Sequence, residues 1–317
     1  MTAVLDIIIV NWNSGTQLRR CLESVAATDR RGTELQRVSV VDNASSDKSA
    51  CALDDLALPL VCMRNTTNRG FAGACNQAAA DSTATYLLFL NPDTVLAPDS
   101  LIAPVGFMEQ SPNADVGIVG VQLVENQGVV SRSCARFLTP GMILRKMIGL
   151  ERVLAPRFPS HVMTEWDHRD TREVDHVTGA FFLVRRDAFR SLGGFDERFF
   201  VYLEVLDFSL RAKRAGWRTF FLTSTAVYHR GGGTSEQIKA RRLYYALRSR
   251  LAYAYKHFNW STATAVTLAT LFIEPLTRLV RAMVRGSIAE AFDTARAYAL
   301  LWRALPTITR TRERVQL

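Results

Sequence analysis

Asp93 follows four consecutive large apolar residues, Leu87-Leu88-Phe89-Leu90, and then the pair Asn91-Pro92. The apolar run reads as a strand buried on both faces. Pro92 removes a backbone donor, so ladder pairing should stop there. The sequence therefore predicts one carboxylate at the carboxyl end of a core strand, the edge at which open α/β sheets bind ligands. A carboxylate in that place suits a divalent cation and a diphosphate. Taken alone, Asp93 reads equally well as a turn or helix-capping residue ahead of Pro98. Two more polar clusters end apolar runs in the same way: Asn11-Trp12-Asn13 after residues 4–10, and Asp42-Asn43-Ala44-Ser45-Ser46-Asp47 after residues 38–41. At the end of a second strand, Asp42 is placed to accept from a base or a ribose hydroxyl. Further on, His229 and Arg230 precede Gly231, Gly232 and Gly233. Backbone amides of such a run can approach a phosphate, which favours a functional histidine over a structural one.

The elements that must position these residues alternate. A strand over residues 4–10 leads to helical spacing at Leu18, Cys21, Leu22 and Val25, and a second strand covers 38–41. A helix is predicted after the second strand, capped by Ser45, Ser46 or Asp47. A third strand over 58–63, a helix over 72–80 and the strand at 86–90 follow. Strand and helix in repeated alternation with short loops make a right-handed parallel sheet the economical reading. The three polar clusters then converge on one sheet edge. Residues 115–124 form another apolar run. Residues 140–170 lack a steady period and read as a lid or binding loop. Strand character returns at 174–184, a short helix at 187–192, and a helix over about 204–215 ends at Gly216. Two short strands are predicted over 218–228. From residue 237 to 258 the pattern is one basic helix, with Arg241, Tyr245 and Arg248 near one face.

The chain has 317 residues, 48% hydrophobic and 22% charged, which is globular composition with room for one large α/β domain and an appendage. Its net charge of +9 is unevenly placed. Residues 239–317 hold 14 Lys/Arg against 4 Asp/Glu, leaving 25 against 26 in the rest. Such asymmetry points to anionic partners. No recognised nucleic-acid module accompanies it, so nucleic acid is not the expected partner. The five cysteines, Cys21, Cys51, Cys62, Cys75 and Cys134, are odd in number and contain no CxxC pair. They fit a reduced cytoplasmic protein with buried thiols better than a disulfide or zinc framework. The start lacks a basic region before its apolar stretch and reads as a first strand, not as a signal peptide. Residues 258–273 are uncharged but number only 16, short of the ~20 needed to span a bilayer. Beyond them Arg278, Arg281, Arg285, Arg296 and Arg303 alternate with apolar residues, the pattern of amphipathic helices lying on an anionic membrane face. A basic face packed on the α/β domain is the plainer alternative.

The ordered set NWNSG, VVDNASSD, NRGFAGACNQA, LFLNPDT, VTGAFFLVRRDAF, GGFDERFFVYLE and VYHRGG resembles glycosyltransferase family 2, most closely its bacterial rhamnosyltransferase-type subgroup, over roughly residues 5–260. The resemblance implies a GT-A fold: a Rossmann-like, nucleotide-binding, mostly parallel α/β sheet flanked by helices, here spanning 1–235. A basic helical extension over 236–317 follows it. It also implies a nucleotide-sugar donor such as dTDP-rhamnose, Mg²⁺ or Mn²⁺, inversion at the anomeric carbon, and a lipid-linked glycan acceptor at the inner face of the cell membrane. Carried over by resemblance, Asn11, Trp12 and Asn13 line the nucleotide pocket, and Asp42 and Asn43 contact base and ribose. Arg69 and Asn76 hold the nucleotide sugar. Asn91 takes the place of the first Asp of the family's Asp-any-Asp motif, Asp93 is a metal ligand, and His229 is a second ligand or a diphosphate contact. Arg241, Arg242 and Arg248 face the acceptor diphosphate or lipid head groups.

One position departs from the family. The segment after GGFDERFF usually carries Glu-Asp, and the second acid is the expected base for the acceptor hydroxyl. Here Glu204 is followed by Val205. Three readings stay open: Glu204 serves as base, Asp207 serves through a shifted helix start, or the chain is a slow or non-catalytic sugar-nucleotide-binding homologue.

Overall fold

The computed structural model describes residues 2–151, 157–231 and 238–310. Gly232, Gly233 and Gln237 lie outside the described residues. The chain divides into two compact units.

The first unit comprises Met1–Phe137, Val162–Glu197 and Glu204–Thr234. Its strands are β1 (Ala3–Asn11), β2 (Thr33–Asp42), β3 (Leu60–Arg64), β4 (Tyr86–Leu90), β5 (Thr94–Val95), β6 (Val116–Val124), β7 (Cys134–Ala135), β8 (Arg172–Glu173), β9 (His176–Val177), β10 (Phe181–Arg185) and β11 (Arg218–His229). Its helices are α1 (Gln17–Ala26), α2 (Gly70–Ala79), α3 (Ile102–Glu109), then α5 (Arg186–Ser191) and α6 (Glu204–Arg214), with α4 (Pro140–Met147) in the other unit. Among the described residues the main sheet runs β3-β2-β1-β4-β10-β6-β11-β5, with β8 beside β11. The pairs β1–β2, β2–β3, β1–β4 and β6–β11 are parallel. β10 runs antiparallel to both β4 and β6. The sheet is thus mostly parallel and mixed, not parallel throughout.

All five residues of β4 are buried. Because side chains alternate along a strand, Leu88 and Leu90 join the layer built with α1 and α3, through Leu18, Leu22, Val25 and Val105. Leu87 and Phe89 join the layer built with α2 and α6, through Ala72, Ala78 and Phe208. Phe89, Phe189, Phe195 and Phe208 interlock there, with ring centroids 4.8–5.5 Å apart. Fully burying one such ring is worth about 1.5–3 kcal/mol.

Several expectations change against the structure. No helix follows β2; turns and bends fill residues 43–59. Ala44, Lys48 and Ala52 take positive φ, and Asp47 accepts from the backbone N–H groups of Gly15 and Ser49 at 2.7 and 3.0 Å. Short polar side chains have captured the backbone donors that a helix needs. Residues 218–228 form one strand, β11, with a register shift between Leu222 and Ala226. The stretch 174–184 is broken: β9 leaves the main sheet to pair with β7. Gly120 of β6 permits this, since a Cβ there would lie 2.6 Å from Val177 Cβ. Residues 140–170, read above as a lid or binding loop, begin with helix α4 and end in a packed knot, while 152–156 lie outside the described residues. Trp166 stacks on His168 at 4.1 Å, with the Arg172 guanidinium 4.1 Å from the Trp166 ring. The Nδ1–H of His168 donates to the Trp166 carbonyl at 3.0 Å, and Nε2 accepts from the Cys134 amide at 3.1 Å. Of the cysteines, Cys21, Cys75 and Cys134 are buried, whereas Cys51 and Cys62 are exposed.

The second unit takes Leu138–His161 and Arg198–Leu203 as well as Ser235–Leu317. Besides α4 it contains α7 (Lys239–His257), α8 (Trp260–Leu268), α9 (Glu274–Val284) and α10 (Ile288–Arg310). Asn259 caps α8 by accepting from the Thr262 amide at 2.9 Å. A π turn over Ala269–Ile273 joins α8 to α9. The resulting run, Trp260–Val284, has 25 residues and is long and apolar enough to cross a bilayer; the expectation of a 16-residue stretch stopped too early. Leu247, Leu251, Val266, Leu271 and Leu301 form its core with Ile143 and Met147. Glu274 is buried and paired with Arg250 and Arg278. Burial pushes its carboxyl up, but the two guanidinium groups outweigh that and hold it below the usual range.

Candidate functional site

Strand register brings the first polar clusters together. Asn11 and Asp42 are paired across β1 and β2, and Ile9 pairs with Leu90 across β1 and β4. β1 lies between β2 and β4 in the sheet, and the Asn91-Pro92-Asp93 turn leaves the end of β4. Asp42 and the Asn91-Pro92-Asp93 turn therefore lie two strand spacings apart, roughly 10 Å. Asn11 is fully buried and ties the edge together: its Nδ2 lies within hydrogen-bond reach of Asp42 Oδ1 (3.1 Å), Ser45 Oγ (3.1 Å) and Ser49 Oγ (2.8 Å), which share its two hydrogens. Asn13 accepts from the Ser46 amide at 2.7 Å. Trp12, between them, is half-buried. Asp42 Oδ1 also accepts from the Ser45 amide at 3.3 Å.

Asn43 serves the fold. Its amide donates to Asn68 Oδ1 (2.9 Å) and the Gly70 carbonyl (3.0 Å), and its oxygen accepts from Asn65 Nδ2 (3.1 Å) and the Arg69 amide (2.9 Å). That uses every hydrogen-bonding position of the carboxamide, so it has none left for a base or ribose. Arg69 is exposed and donates to Gln77 Oε1 at 3.2 Å. Asn76 is likewise engaged: Nδ2 donates to the Phe195 carbonyl (2.8 Å) and Glu197 Oε1 (3.1 Å), and Oδ1 accepts from the Phe195 amide (2.9 Å). Asn76 therefore pins the Gly-Gly-Phe turn to α2. Gly194, at φ 72°, admits it, since a Cβ there would stand 2.7 Å from Asn76 Oδ1.

Asp93 and His229 meet. β5 pairs with the end of β11, His229 opposite Thr94, and His229 Nε2 lies 3.3 Å from Asp93 Oδ1. Both side chains are mostly buried yet keep some exposure. Asn91 is held by its backbone, its amide donating to the Ala180 carbonyl at 3.0 Å. Among the described residues no cluster of three or more His, Cys, Asp or Glu is built to cage a metal. One carboxylate with one imidazole fits an ion that takes its other ligands from phosphate oxygens and water, as Mg²⁺ does.

The first turn of α6 is built against the same edge. Gly179, one residue before Ala180, packs on Val205: a Cβ at 179 would lie 3.1 Å from Val205 Cγ2. The chain reaches α6 through Tyr202 and Leu203, both left-handed with φ near 70°. Non-glycine residues there cost of order 1–3 kcal/mol each and persist only where surrounding structure enforces them. Glu204 follows, buried, and its Oε2 has no hydrogen-bond partner among the described residues. Burial, with a smaller push from Asp207, raises its carboxyl from the usual 4.5 to about 7. Asp207 is fully buried and bound to Arg211 Nε at 2.8 Å. Arg211 in turn donates to the carbonyls of Leu192 and Gly194 at 2.6 and 2.7 Å. Asp207 is thus part of a latch on the Gly-Gly turn, whereas Glu204 keeps an unoccupied oxygen.

The structure gathers Asn11, Asn13, Asp42, Asn91, Asp93 and His229 at one sheet edge, with Val205 and hence the α6 start bordering Gly179-Ala180. Arg241 and Arg242 are exposed and Arg248 half-buried on α7 of the second unit. Sequence reasoning passed over Ser45, Ser49 and Asp47 as binders of the Asn11–Gly15 loop, and over Arg211 as partner of Asp207. The i,i+4 spacing of Asp207 and Arg211 was the available signal.

Comparison with known proteins identifies the family and the fold. The family described as "Glycosyl transferase family 2" matches residues 6–193. The chain is 27% identical over 279 residues to the N-acetylglucosaminyl-diphospho-decaprenol L-rhamnosyltransferase of Mycobacterium tuberculosis, covering 82% of this chain and 87% of the relative. It is 25% identical over 262 residues to the rhamnosyltransferase WbbL of Escherichia coli, covering 78% and 91%. Its fold is shared with the mannosyltransferase of Pyrobaculum calidifontis solved with GDP-mannose and Mn²⁺ (TM-score 0.53, 19% identity, 96% of this chain and 84% of that one). The TarS 1–349 structure of S. aureus with UDP is alike at a TM-score of 0.52 and 14% identity, covering 96% and 91%. Both are similar in fold, of GT-A type. With the family's pattern running through residues 6–193, more than half of its length, the chain belongs to glycosyl transferase family 2 and is a glycosyltransferase.

Proposed function

We propose that the protein transfers a deoxyhexose, rhamnose, from dTDP-rhamnose to a lipid-linked glycan, with inversion, while attached peripherally to the inner membrane face. The likeness to rhamnosyltransferases, one of them named for a diphospho-decaprenol acceptor, supports donor and acceptor class. The observation that carries the chemistry is Glu204: a buried carboxylate with one unpartnered oxygen and an acidity near neutrality. A base must be ionised near working pH yet strong enough to take a proton, and a value near 7 meets both demands.

In this reading Asp42 accepts from the base or ribose of the nucleotide, and Asn11 and Asn13 hold its loop in shape. Asp93 and His229 face the diphosphate. They are the residues that would hold Mg²⁺ or Mn²⁺, which supplies charge neutralisation at the leaving diphosphate when bound. The acceptor hydroxyl attacks the anomeric carbon from the side opposite the diphosphate. As the new C–O bond forms, the bond from the anomeric carbon to the phosphate oxygen breaks, and the nucleoside diphosphate leaves with that electron pair. The hydroxyl proton passes to Glu204. Inversion through a transition state with oxocarbenium character at the anomeric carbon requires this in-line geometry.

A second reading is favoured by one observation. Val205, where the family carries its acid, is buried against Gly179, as in a homologue that binds sugar nucleotides without turning them over. A screen of nucleotide-sugar turnover with and without Mn²⁺, using a polyprenyl-diphosphate glycan acceptor, separates the two. Metal-stimulated consumption of dTDP-rhamnose with glycan extension is the expected result. Binding of the donor without any turnover would establish the second reading.

A further inference from the structure

Among the described residues of the second unit, one helical face is exposed. On α9, Leu276, Val280, Met283 and Val284 recur at i, i+4, i+7 and i+8, with Phe272 and Ile273 a turn earlier, and all are exposed. The face continues past the turn at Gly286 into Ile288 and Phe292 of α10. Exposure is greatest at the hairpin tip: 70% for Met283, 83% for Val284, 74% for Ile288 and 73% for Phe292. Exposed apolar side chains this contiguous mark an interaction surface. Arg281 and Arg285 stand exposed on α9 and at its end. Arg296 and Arg303 do so on α10, Arg296 one turn beyond Phe292 on the same face. Arg285 lies 3.3 Å from Glu290 across the turn, an exposed pair that water screens.

We infer that this face of α9 and α10 inserts into the interfacial layer of an anionic membrane, the helices lying in its plane. The inference deepens the peripheral membrane attachment proposed above and rests on it. Charge selects the occupant. A second copy seated by two-fold symmetry would bring the same arginines against themselves, whereas anionic head groups neutralise them while the acyl boundary takes the apolar side chains. Geometry selects lying over spanning. The opposite side of the Trp260–Val284 run is committed to the unit's core through Val266, Leu271 and Ala282, and it carries the buried Glu274 with Arg250 and Arg278. Turned into hydrocarbon, that side would expose an ion cluster to lipid.

The test is flotation of the full chain with vesicles of phosphatidylcholine alone or with phosphatidylglycerol. Wild type is expected to float with the anionic vesicles. Val284→Asp/Ile288→Asp, both at exposed positions, should keep wild-type thermal unfolding and lose binding by about tenfold or more per side chain. Arg281→Gln/Arg296→Gln/Arg303→Gln should lose about fivefold per charge on anionic vesicles only. Wild-type flotation that neither variant reduces would overturn this face while leaving peripheral attachment intact. Absence of flotation by the wild type would overturn both. A mass in sedimentation equilibrium that doubles with concentration, and that the aspartate variant returns to monomer without changing flotation, would assign the face to a second copy instead.

Discussion

Glu204→Gln should lower transfer and raise stability in the same protein, a pairing that a merely structural residue does not produce. The native carboxyl, raised to about 7 by burial, keeps a proton that the unfolded chain releases near 4.5. Stability contributed by this group therefore falls as pH rises from about 4.5 through about 7, and above that range the folded state carries an ionised, buried carboxylate. At about 1.4 kcal/mol per pH unit the penalty approaches 3 kcal/mol by pH 8. Glutamine removes the charge but leaves an amide donor to satisfy, at about 1–3 kcal/mol. The net change should lie between zero and about 2 kcal/mol of added stability at pH 8, and a flatter stability profile between pH 5 and 7. Loss of the base should lower turnover about 10²–10⁴-fold, and wild-type kcat/KM should rise with pH through a midpoint near 7. Urea unfolding at pH 5, 7 and 8, set beside turnover, checks both. Wild-type turnover in the glutamine variant would remove Glu204 from the chemistry. Lost stability at every pH would mark it as structural.

Asp207→Ala should cost about 3–5 kcal/mol in urea unfolding, because the largely buried Arg211 keeps its two carbonyl acceptors but loses its counter-charge. Val205→Asp should fail to raise turnover and should lower stability by about 1–3 kcal/mol, since the new carboxyl would be buried beside Gly179 and Glu204. Steady-state kinetics with a thermal melt decides this, and a sharp gain in turnover would mean that the family's usual base position is the one that matters. Asp42→Asn should raise the KM for donor by about tenfold with kcat little changed, the mark of lost ground-state binding; an unchanged donor KM would separate Asp42 from the nucleotide.

Much of the sheet was legible because its strands are unambiguous. The run Leu87–Leu90, buried on both faces, defined β4, and strand–helix alternation placed three polar clusters on one edge. The failures have physical causes. The loop after β2 looked like a capped helix because Ser and Asp favour helix starts, but here they serve Asn11, Asn13 and Gly15 across the edge. Asn43 and Asn76 looked like ligand contacts, yet carboxamides are equally suited to cross-bracing turns, and only the partners of each atom distinguish the uses. The break between β9 and β10 depends on Gly120 of β6, more than fifty residues away, which no local pattern reveals. The state of Glu204 was hidden for the same reason: its acidity is set by burial, a tertiary property.

Transfer as proposed requires Asp93 and His229 to meet a cation-bound diphosphate at this edge. Mn²⁺ binding followed by electron paramagnetic resonance, with and without dTDP, reads that most directly. Retention of Mn²⁺ by the wild type only when dTDP is present, weakened tenfold or more by Asp93→Ala and reduced by His229→Ala, is the predicted result. Equal retention by the Asp93→Ala variant, or dTDP binding indifferent to Mn²⁺, would contradict it.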